Sequence, residues 1–260
     1  MSSAPPFEQK WPDCLWIVRH GQSAGNVARD AAEAAAQPLI DIAHRDMDAP
    51  LSPLGRRQAV ALGHWFGALP RERQPTVVLC SPYLRARETA RLMLEAAGID
   101  GSTTGVIADE RLREKEFGIV DRLTKVGIAQ KYPELNEQRA HVGKFYFRPP
   151  GGESWCDVIL RLRSTLDTIT REHRRERVLV VAHQVIVNCY RYLLERLDEA
   201  QILEIDRLAD VPNCSVTSYE FDTSAGRNGK LVLRLVNFVA PLEAEGAPIT
   251  VAKDQPATAR

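Results

Sequence analysis

Apolar residues in this chain fall into short continuous runs that are separated by longer segments with helical spacing. Runs of this length bounded by turn residues predict buried strands. Four of them are Cys14–Val18, Thr76–Cys80, Gly105–Ile107 and Arg177–Ala182. Two more, Ser215–Phe221 and Leu231–Phe238, flank a turn rich in Gly and Asn. This last arrangement predicts an antiparallel pair at a sheet edge.

The intervening segments repeat apolar residues every three or four positions or are rich in helix-forming residues, which predicts helices. They are Ser23–Ala36, Pro53–Leu69, Leu84–Ala97 (which Gly98 ends), Glu153–His173 and Gln184–Leu197. Alternating strands and helices are typical of layered α/β folds. We therefore expect a three-layer α/β/α sandwich around a mostly parallel central sheet with an antiparallel edge.

The length of 260 residues and the 44% apolar composition fit one domain with appended tails. We expect a single domain over 13–239 and a flexible N-terminal tail over 1–12. The last segment, 240–260, is rich in Ala, Pro, Glu and Lys and has little apolar periodicity. That composition predicts a disordered C-terminal tail.

Charge and cysteine usage narrow the classes of partner. Lys plus Arg equals Asp plus Glu, 34 each, so no global field favours nucleic acid or an anionic membrane. The five cysteines are scattered and lack CxxC spacing, which argues against a zinc site or a disulfide framework. No apolar run approaches the ~20 residues of a membrane span, and the N-terminus lacks the pattern of a secretory signal. We expect a soluble cytoplasmic protein that captures any anion with a local positive cluster.

Candidate catalytic side chains follow the predicted strands. Because the carboxyl ends of parallel strands meet at one edge of the sheet, these side chains are expected to converge there. They are Arg19 and His20, Arg85 and Arg87, and His183, with Glu114 and Glu116 on a separate loop. Arginine matches phosphate oxygens bidentately, histidine can act as a nucleophile near neutral pH, and a carboxyl can protonate a leaving alkoxide.

Each of these residues also has an ordinary interpretation when it is considered alone. A histidine after a strand is usually capped or solvated, and an arginine pair in the first turn of a helix usually faces solvent. The predicted convergence of two histidines, two arginines and an acid favours a site for a phosphate-sized anion.

Four ordered motifs, RHGQS, SPYLRARETA, LREKEFG and VVAHQ, resemble those of the histidine phosphatase superfamily, also called phosphoglycerate mutase-like. The resemblance extends from Leu15 to Phe221. It implies that His20 is the phosphorylated nucleophile and that Glu114 is the proton donor, with Glu116 as the rival for this role. It implies further that Arg19, Arg85 and His183 cradle the phosphoryl group, without a metal or a cofactor. The substrate-binding residues that it implies are Gly21, Gln22, Ser23, Asn26, Lys144 and Gln184; for Gly21 we expect a sharp turn of the backbone.

The region after the acid loop is similar to the fructose-2,6-bisphosphatase branch of this superfamily. Gln184 and Lys144 match that branch, and for Lys144 a solvated basic loop is an equal alternative. Other positions depart from it: Lys125, the run Ile119, Val120 and Asp121, Trp155, for which packing is favoured, and Asn188. These departures weaken the expectation of a sugar bisphosphate.

Three functions remain open from the sequence. The first is a phosphatase for a small phosphorylated metabolite, and the second is a cofactor-dependent phosphoglycerate mutase. The third is a catalytically silent binding protein, which has no chemical need for all five catalytic residues. By this resemblance, a mutase would have a lengthy insertion with paired arginines after the acid loop. In this chain, the corresponding residues 118–153 form a region of moderate length without an adjacent Arg pair. The segment between Asn26 and Pro53 is long, and its role is open.

Overall fold

Six strands form one mixed sheet in the computed structural model, which describes residues 8–251. They are β1 Cys14–Arg19, β2 Val77–Cys80, β3 Val106–Ala108, β4 Arg177–Ala182, β5 Val216–Asp222 and β6 Lys230–Phe238. Their order across the sheet is β3-β2-β4-β1-β5-β6. The first four strands of this order are parallel, whereas β5 runs antiparallel to both β1 and β6. The mostly parallel sheet with an antiparallel edge is therefore as predicted.

Helices cover both faces of this sheet, which gives the predicted three layers. Their bounds are α1 Ala24–Ala34, α2 Pro53–Ala68, α3 Leu84–Ala97, α4 Gly101–Thr104, α5 Lys125–Lys131, α6 Pro133–Val142, α7 Trp155–Glu172, α8 Gln184–Glu195, α9 Glu199–Leu208 and α10 Ala240–Ala244. Side chains of α2, α3 and α10 share one apolar cluster with the sheet. Those of α7, α8 and α9 share the other. None of the helices within residues 8–251 is long and apolar enough to cross a membrane.

Side chains along β1 point alternately to the two faces of the sheet, and both faces are covered by helices. This explains why the apolar run of β1 is continuous. Leu15 and Ile17 point into the cluster of α7 and α8, whereas Trp16 and Val18 point into the cluster of α2 and α3. A strand that is covered on both faces needs apolar residues at every position. The ends of the predicted helices also have a local cause, since Gly98 ends α3 in the left-handed conformation with φ +65°.

The short helices α5 and α6 and helix α9 were not predicted. The charged and apolar residues of α6 are not segregated to opposite faces, and only Leu135 of this helix is buried. Such segments lack the apolar periodicity on which the sequence prediction depends. Packing of the chain between the acid loop and α7 determines where α5 and α6 form, whereas α9 follows α8 and buries Ile202.

The expected C-terminal tail differs from the structure over 240–251. α10 packs on α2, and Leu242 and Ala247 are buried. Gln58 of α2 donates to the carbonyl of Pro248 at 2.8 Å and to Thr250 Oγ1 at 2.9 Å. These contacts involve single apolar side chains or backbone groups in a polar stretch. They produce no apolar periodicity from which the sequence could predict them. The remaining tail, 252–260, lies outside the described residues, as does 1–7 at the other end.

Candidate active site

The carboxyl ends of the parallel strands β1, β2 and β4 open onto one cavity. Among the residues that line it are Arg19, His20, Arg85, Glu114 and Gln184. The sheet thus brings together residues that are up to 165 positions apart, as the strand order predicts. Nearly all of these side chains are buried. Their electrostatic interactions and hydrogen bonds are therefore stronger than they would be in water.

His20 is held in one tautomer. Its ring is 2% exposed, and its Nδ1 lies 2.7 Å from the carbonyl oxygen of Gly21. Because a carbonyl oxygen only accepts, Nδ1 carries the hydrogen and Nε2 keeps its lone pair, which accepts from Arg85 Nε at 3.2 Å. Burial and then the positive charges of Arg85 and Arg19 lower the pKa of His20 well below its ordinary value of 6.5. The ring is therefore neutral at physiological pH, which is the state in which a histidine can act as a nucleophile.

Gly21 is required for a close approach between two backbones. Its φ is not in the left-handed region, which corrects the expectation of a sharp turn. A Cβ on Gly21 would lie 2.5 Å from the carbonyl oxygen of Gly55, at the start of α2. A Cβ on Gly55 would in turn lie 2.0 Å from the carbonyl oxygen of Gln22. The two glycines allow α2 to support the loop that carries His20.

We expect Gly21→Ala to lower the free energy of unfolding by about 1–3 kcal/mol, because the loop must move away from α2. The same movement displaces His20, so kcat for p-nitrophenyl phosphate should fall by about tenfold or more. Urea unfolding and steady-state kinetics measure the two effects. Gly101→Ala is the matched control, since an added Cβ there meets only Leu94 Cδ1 at 4.0 Å. Equal behaviour of the two variants would contradict this account of the loop.

The two buried arginines differ in what they contact. Arg19 is held through a hydrogen bond from Nη1 to the carbonyl of Val211. Arg85 donates from Nη1 to the carbonyl of Asp46 at 2.5 Å and from Nη2 to the Asp46 carboxylate at 3.0 Å. Arg87, the second arginine of that helical turn, is exposed and does not line the cavity. One arginine of the pair thus reaches the site.

A serine hydroxyl orders the ring of His183. Its Nε2 lies 2.7 Å from Ser81 Oγ, which also accepts from the Tyr83 N–H at 3.3 Å. This hydrogen bond between Ser81 Oγ and Nε2 fixes the orientation of the ring. Nδ1 lies 3.8 Å from Glu114 Oε2 and has no hydrogen-bond partner within residues 8–251. Burial, followed by Arg85 and His20, lowers the pKa of His183 well below 6.5.

The acid loop places Glu114 in the cavity and Glu116 outside it. Glu114 lines the cavity, and its Oε1 accepts from the Lys115 N–H at 2.8 Å. Glu116 is exposed and accepts from the Tyr83 hydroxyl at 3.2 Å. Arg161 of α7 donates to the backbone carbonyl of Glu114 at 3.2 Å and so braces the loop. This placement favours Glu114 over Glu116 as the proton donor.

The amino end of α1 also faces the cavity. Ser23 and Asn26, which line the cavity, form a capping box in which Ser23 Oγ accepts from the Asn26 N–H at 3.1 Å and Asn26 Oδ1 accepts from the Ser23 N–H at 3.0 Å. A helix amino end favours anions. Gln22, which was expected to bind substrate, instead accepts from Ser52 Oγ at 2.7 Å and does not line the cavity. Gln184 lines it and donates to Asp210 at 3.1 Å.

Lys144 lies in a separate, neighbouring cavity. Its ammonium group pairs with Asp206 and lies 5.3 Å from the centre of the Trp155 ring. Asp206 also accepts from Asn188 Nδ2 at 3.1 Å. Lys144 is therefore not on a solvated loop, and its contact with the non-reacting end of an anionic substrate stays a prediction. Trp155 is 1% exposed in the apolar core, as the packing interpretation requires.

Three contributors to the site were missed in the sequence. Asn213 is buried and donates to the backbone carbonyl of His20 at 3.0 Å. It precedes β5, and an antiparallel neighbour of β1 starts where β1 ends, so recognition of that pairing could have identified it. Ser81 directly follows β2 and offered the same signal of position. Asp46 lies in a segment without apolar periodicity, and nothing in the sequence indicated it.

Comparisons with known proteins place this arrangement among phosphoryl-transfer enzymes. A family model described as the histidine phosphatase superfamily (branch 1) matches residues 15–233. A 6-phosphofructo-2-kinase/fructose-2,6-bisphosphatase of Caenorhabditis elegans is 30% identical over 83% of this chain, and the chain spans only 43% of that protein. A 2,3-bisphosphoglycerate-dependent phosphoglycerate mutase 2 of Gloeobacter violaceus is 33% identical over 79% of the chain and 84% of that protein.

A solved structure has the same fold with phosphate bound. It is a mycobacterial glucosyl-3-phosphoglycerate phosphatase in complex with inorganic phosphate. The TM-score is 0.64 at 26% sequence identity, and the match covers 88% of this chain and 99% of that chain. The similarity thus includes both hydrolases and mutases.

Proposed function

We propose, because the chain belongs to the histidine phosphatase superfamily, that it hydrolyses phosphate monoesters of small metabolites through a phosphohistidine on His20. One observation carries this proposal. The lone pair of His20 Nε2 lies at Arg85, in the cavity that Arg19 and Glu114 also line. A neutral nucleophile, two guanidinium groups and a carboxyl are the groups that a two-step hydrolysis requires.

In the first step, His20 Nε2 attacks phosphorus and the bond from phosphorus to the ester oxygen breaks. Arg19, Arg85 and His183 stabilise the charge on the transferring oxygens. Glu114 gives its proton to the departing oxygen, so an alcohol leaves. The hydrogen bond from His20 Nδ1 to Gly21 stabilises the positive ring that forms.

In the second step, water attacks phosphorus and the phosphorus–nitrogen bond breaks. Glu114, now a carboxylate, takes a proton from the water, and the other product is inorganic phosphate. His20 returns to its neutral state because burial and two neighbouring arginines disfavour the protonated ring. The same groups therefore perform both half-reactions.

The chemical class of the substrate is part of the proposal. Relatives of this chain are named for small phosphorylated sugars or glycerates, which supports a small metabolite. A neutral overall charge supports neither a nucleic acid nor an anionic membrane as partner. The proposed location is cytoplasmic, where such metabolites occur.

The mutase relative makes phosphoglycerate mutase the second candidate. A mutase must shield the phosphorylated enzyme from water while its substrate reorients. The chain between the acid loop and α7 forms only the two short helices α5 and α6, and residues 118–153 contain no adjacent Arg pair. We therefore favour hydrolysis.

The purified chain should release phosphate from p-nitrophenyl phosphate and from a panel of metabolite monoesters. With 3-phosphoglycerate and catalytic 2,3-bisphosphoglycerate, it should form little 2-phosphoglycerate. Both assays contain excess EDTA, because the scheme assigns charge stabilisation to side chains. Rapid isomerisation with negligible phosphate release would favour the mutase. An activity that EDTA removes and a divalent cation restores would contradict the assigned roles of the arginines.

A further inference from the structure

A long connection between α1 and α2, residues 35–52, lines the cavity through Ile40, Ile42 and Asp46; we call it the strap. It is anchored at both ends. Near its start, the Thr124 N–H donates to the carbonyl of Pro38 at 3.1 Å, and near its end the Ala24 N–H donates to the carbonyl of Pro50 at 2.8 Å. Both anchors are backbone bonds to elements that flank the cavity.

The middle of the strap has few attachments. Five of its eight residues from 41 to 48 are exposed. Arg122 Nη2 donates to the carbonyl of His44 at 2.6 Å, in an exposed contact. The buried attachment is the contact of Asp46 with Arg85, in which the arginine side chain is 5% exposed and the aspartate side chain 44%. The strap thus reaches Arg85 through both the carboxylate and the backbone carbonyl of Asp46.

Asp46 uses the hydrogen-bond donors that a phosphoryl group needs. Its backbone carbonyl accepts from Arg85 Nη1 and its carboxylate accepts from Nη2, while Nε of the same guanidinium lies at His20. A guanidinium group binds two oxygens of one anion through such a pair of nitrogens. A phosphoryl group on His20 therefore competes with Asp46 for the Nη1 and Nη2 groups of Arg85.

We propose that Asp46 is a specificity-determining residue that competes with the phosphoryl group for Arg85. The inference rests on the proposed function, since it assigns Arg85 to the phosphoryl group. The strap withdraws Asp46 when a substrate binds and returns it when phosphate leaves. An anion that gains more from Arg85, Arg19 and the end of α1 than Asp46 gains from Arg85 alone is admitted, and a weaker anion is not.

A second acidic residue in the cavity allows the competition for Arg85 to be distinguished from a general effect of negative charge. Asp121 lines the same cavity but makes no ion pair with Arg85 within residues 8–251. Burial, followed by the negative charge of Asp46, raises the pKa of the Asp121 carboxyl. Loss of either carboxylate makes the cavity less negative, whereas only the loss of the Asp46 carboxylate removes the acceptor of Arg85 Nη2.

The test measures competitive inhibition of p-nitrophenyl phosphate hydrolysis by inorganic phosphate. We expect Asp46→Asn, and Asp46→Ser as a second variant, to lower the inhibition constant by about fivefold or more. KM should fall with it, while kcat should not rise, because product phosphate leaves more slowly. Asp121→Asn is the control for charge in the cavity. Asp48→Asn is the control for the strap, since Asp48 pairs with Arg45 in the same short turn.

An unchanged or higher inhibition constant in the Asp46 variants would overturn the proposal. An equal decrease in Asp121→Asn would overturn it too, because the effect would then be one of charge alone. Calorimetry of inorganic phosphate binding repeats the comparison without turnover. If the unmodified chain neither turns over monoesters nor becomes phosphorylated, the proposed function fails, whereas the calorimetric order of the variants still tests the competition at Arg85.

Discussion

His20→Ala should lower kcat for p-nitrophenyl phosphate by about a thousandfold or more, because no other side chain takes its place as nucleophile. The lone pair of Nε2 is held toward Arg85, and the hydrogen bond from Nδ1 to Gly21 fixes the ring. Water would have to attack the ester directly, in a cavity built for a covalent intermediate. Steady-state kinetics with both proteins at equal concentration measure the loss.

The covalent intermediate gives a second readout for the same change. A reaction that is quenched at alkaline pH should show the mass of one phosphoryl group on the unmodified chain and none on His20→Ala. His64→Ala is the matched control, since His64 lies on α2, is half exposed and contacts Glu245. Urea unfolding separates a lost nucleophile from a lost fold. Turnover of His20→Ala close to that of the control would refute the central assignment.

Glu114→Gln should affect substrates according to the basicity of their leaving groups. For an alkyl phosphate such as glycerol phosphate, we expect kcat/KM, which reports the first step, to fall by about a hundred- to a thousandfold, because the alkoxide needs a proton as it leaves. For p-nitrophenyl phosphate, the loss in the first step should be much smaller, since p-nitrophenolate leaves without a proton. The ratio of the two losses is the diagnostic quantity.

Glu116→Gln is the control for Glu114→Gln, with the same chemical change two residues away. Glu116 is exposed and accepts from Tyr83, so neither substrate should respond strongly. If Glu114→Gln lost the same factor on both substrates, the proton donor would lie elsewhere. A strong leaving-group effect in Glu116→Gln would assign the role to that residue.

The sequence predicted the strands well because burial imposes a local pattern. β4 begins and ends at the predicted residues, and α3 does so as well. The apolar residues of each element lie on the faces that other elements cover, so the apolar pattern predicts the element correctly. The superfamily resemblance, which the comparisons confirm, had the same local basis, since each of the four motifs lies next to a strand or in one loop.

The contacts of single polar side chains were harder to predict from the sequence than the strands and helices. Gln22 and Lys144 were assigned to the substrate by resemblance, yet Gln22 contacts Ser52 and Lys144 contacts Asp206. A long side chain can reach several partners, and the choice depends on which acid or hydroxyl the fold brings near. Neither spacing nor residue type contains that information.

The sequence by itself determined the layered fold, the strands that carry His20 and His183, and the nature of the groups that gather at their ends. Only the tertiary structure decided that Ser81 orients the ring of His183 and that Asp46 contacts Arg85. These partners are 102 and 39 residues apart in the chain. Burial follows a period that each segment carries within itself, whereas a hydrogen bond depends on the position of two distant groups to within a fraction of an ångström.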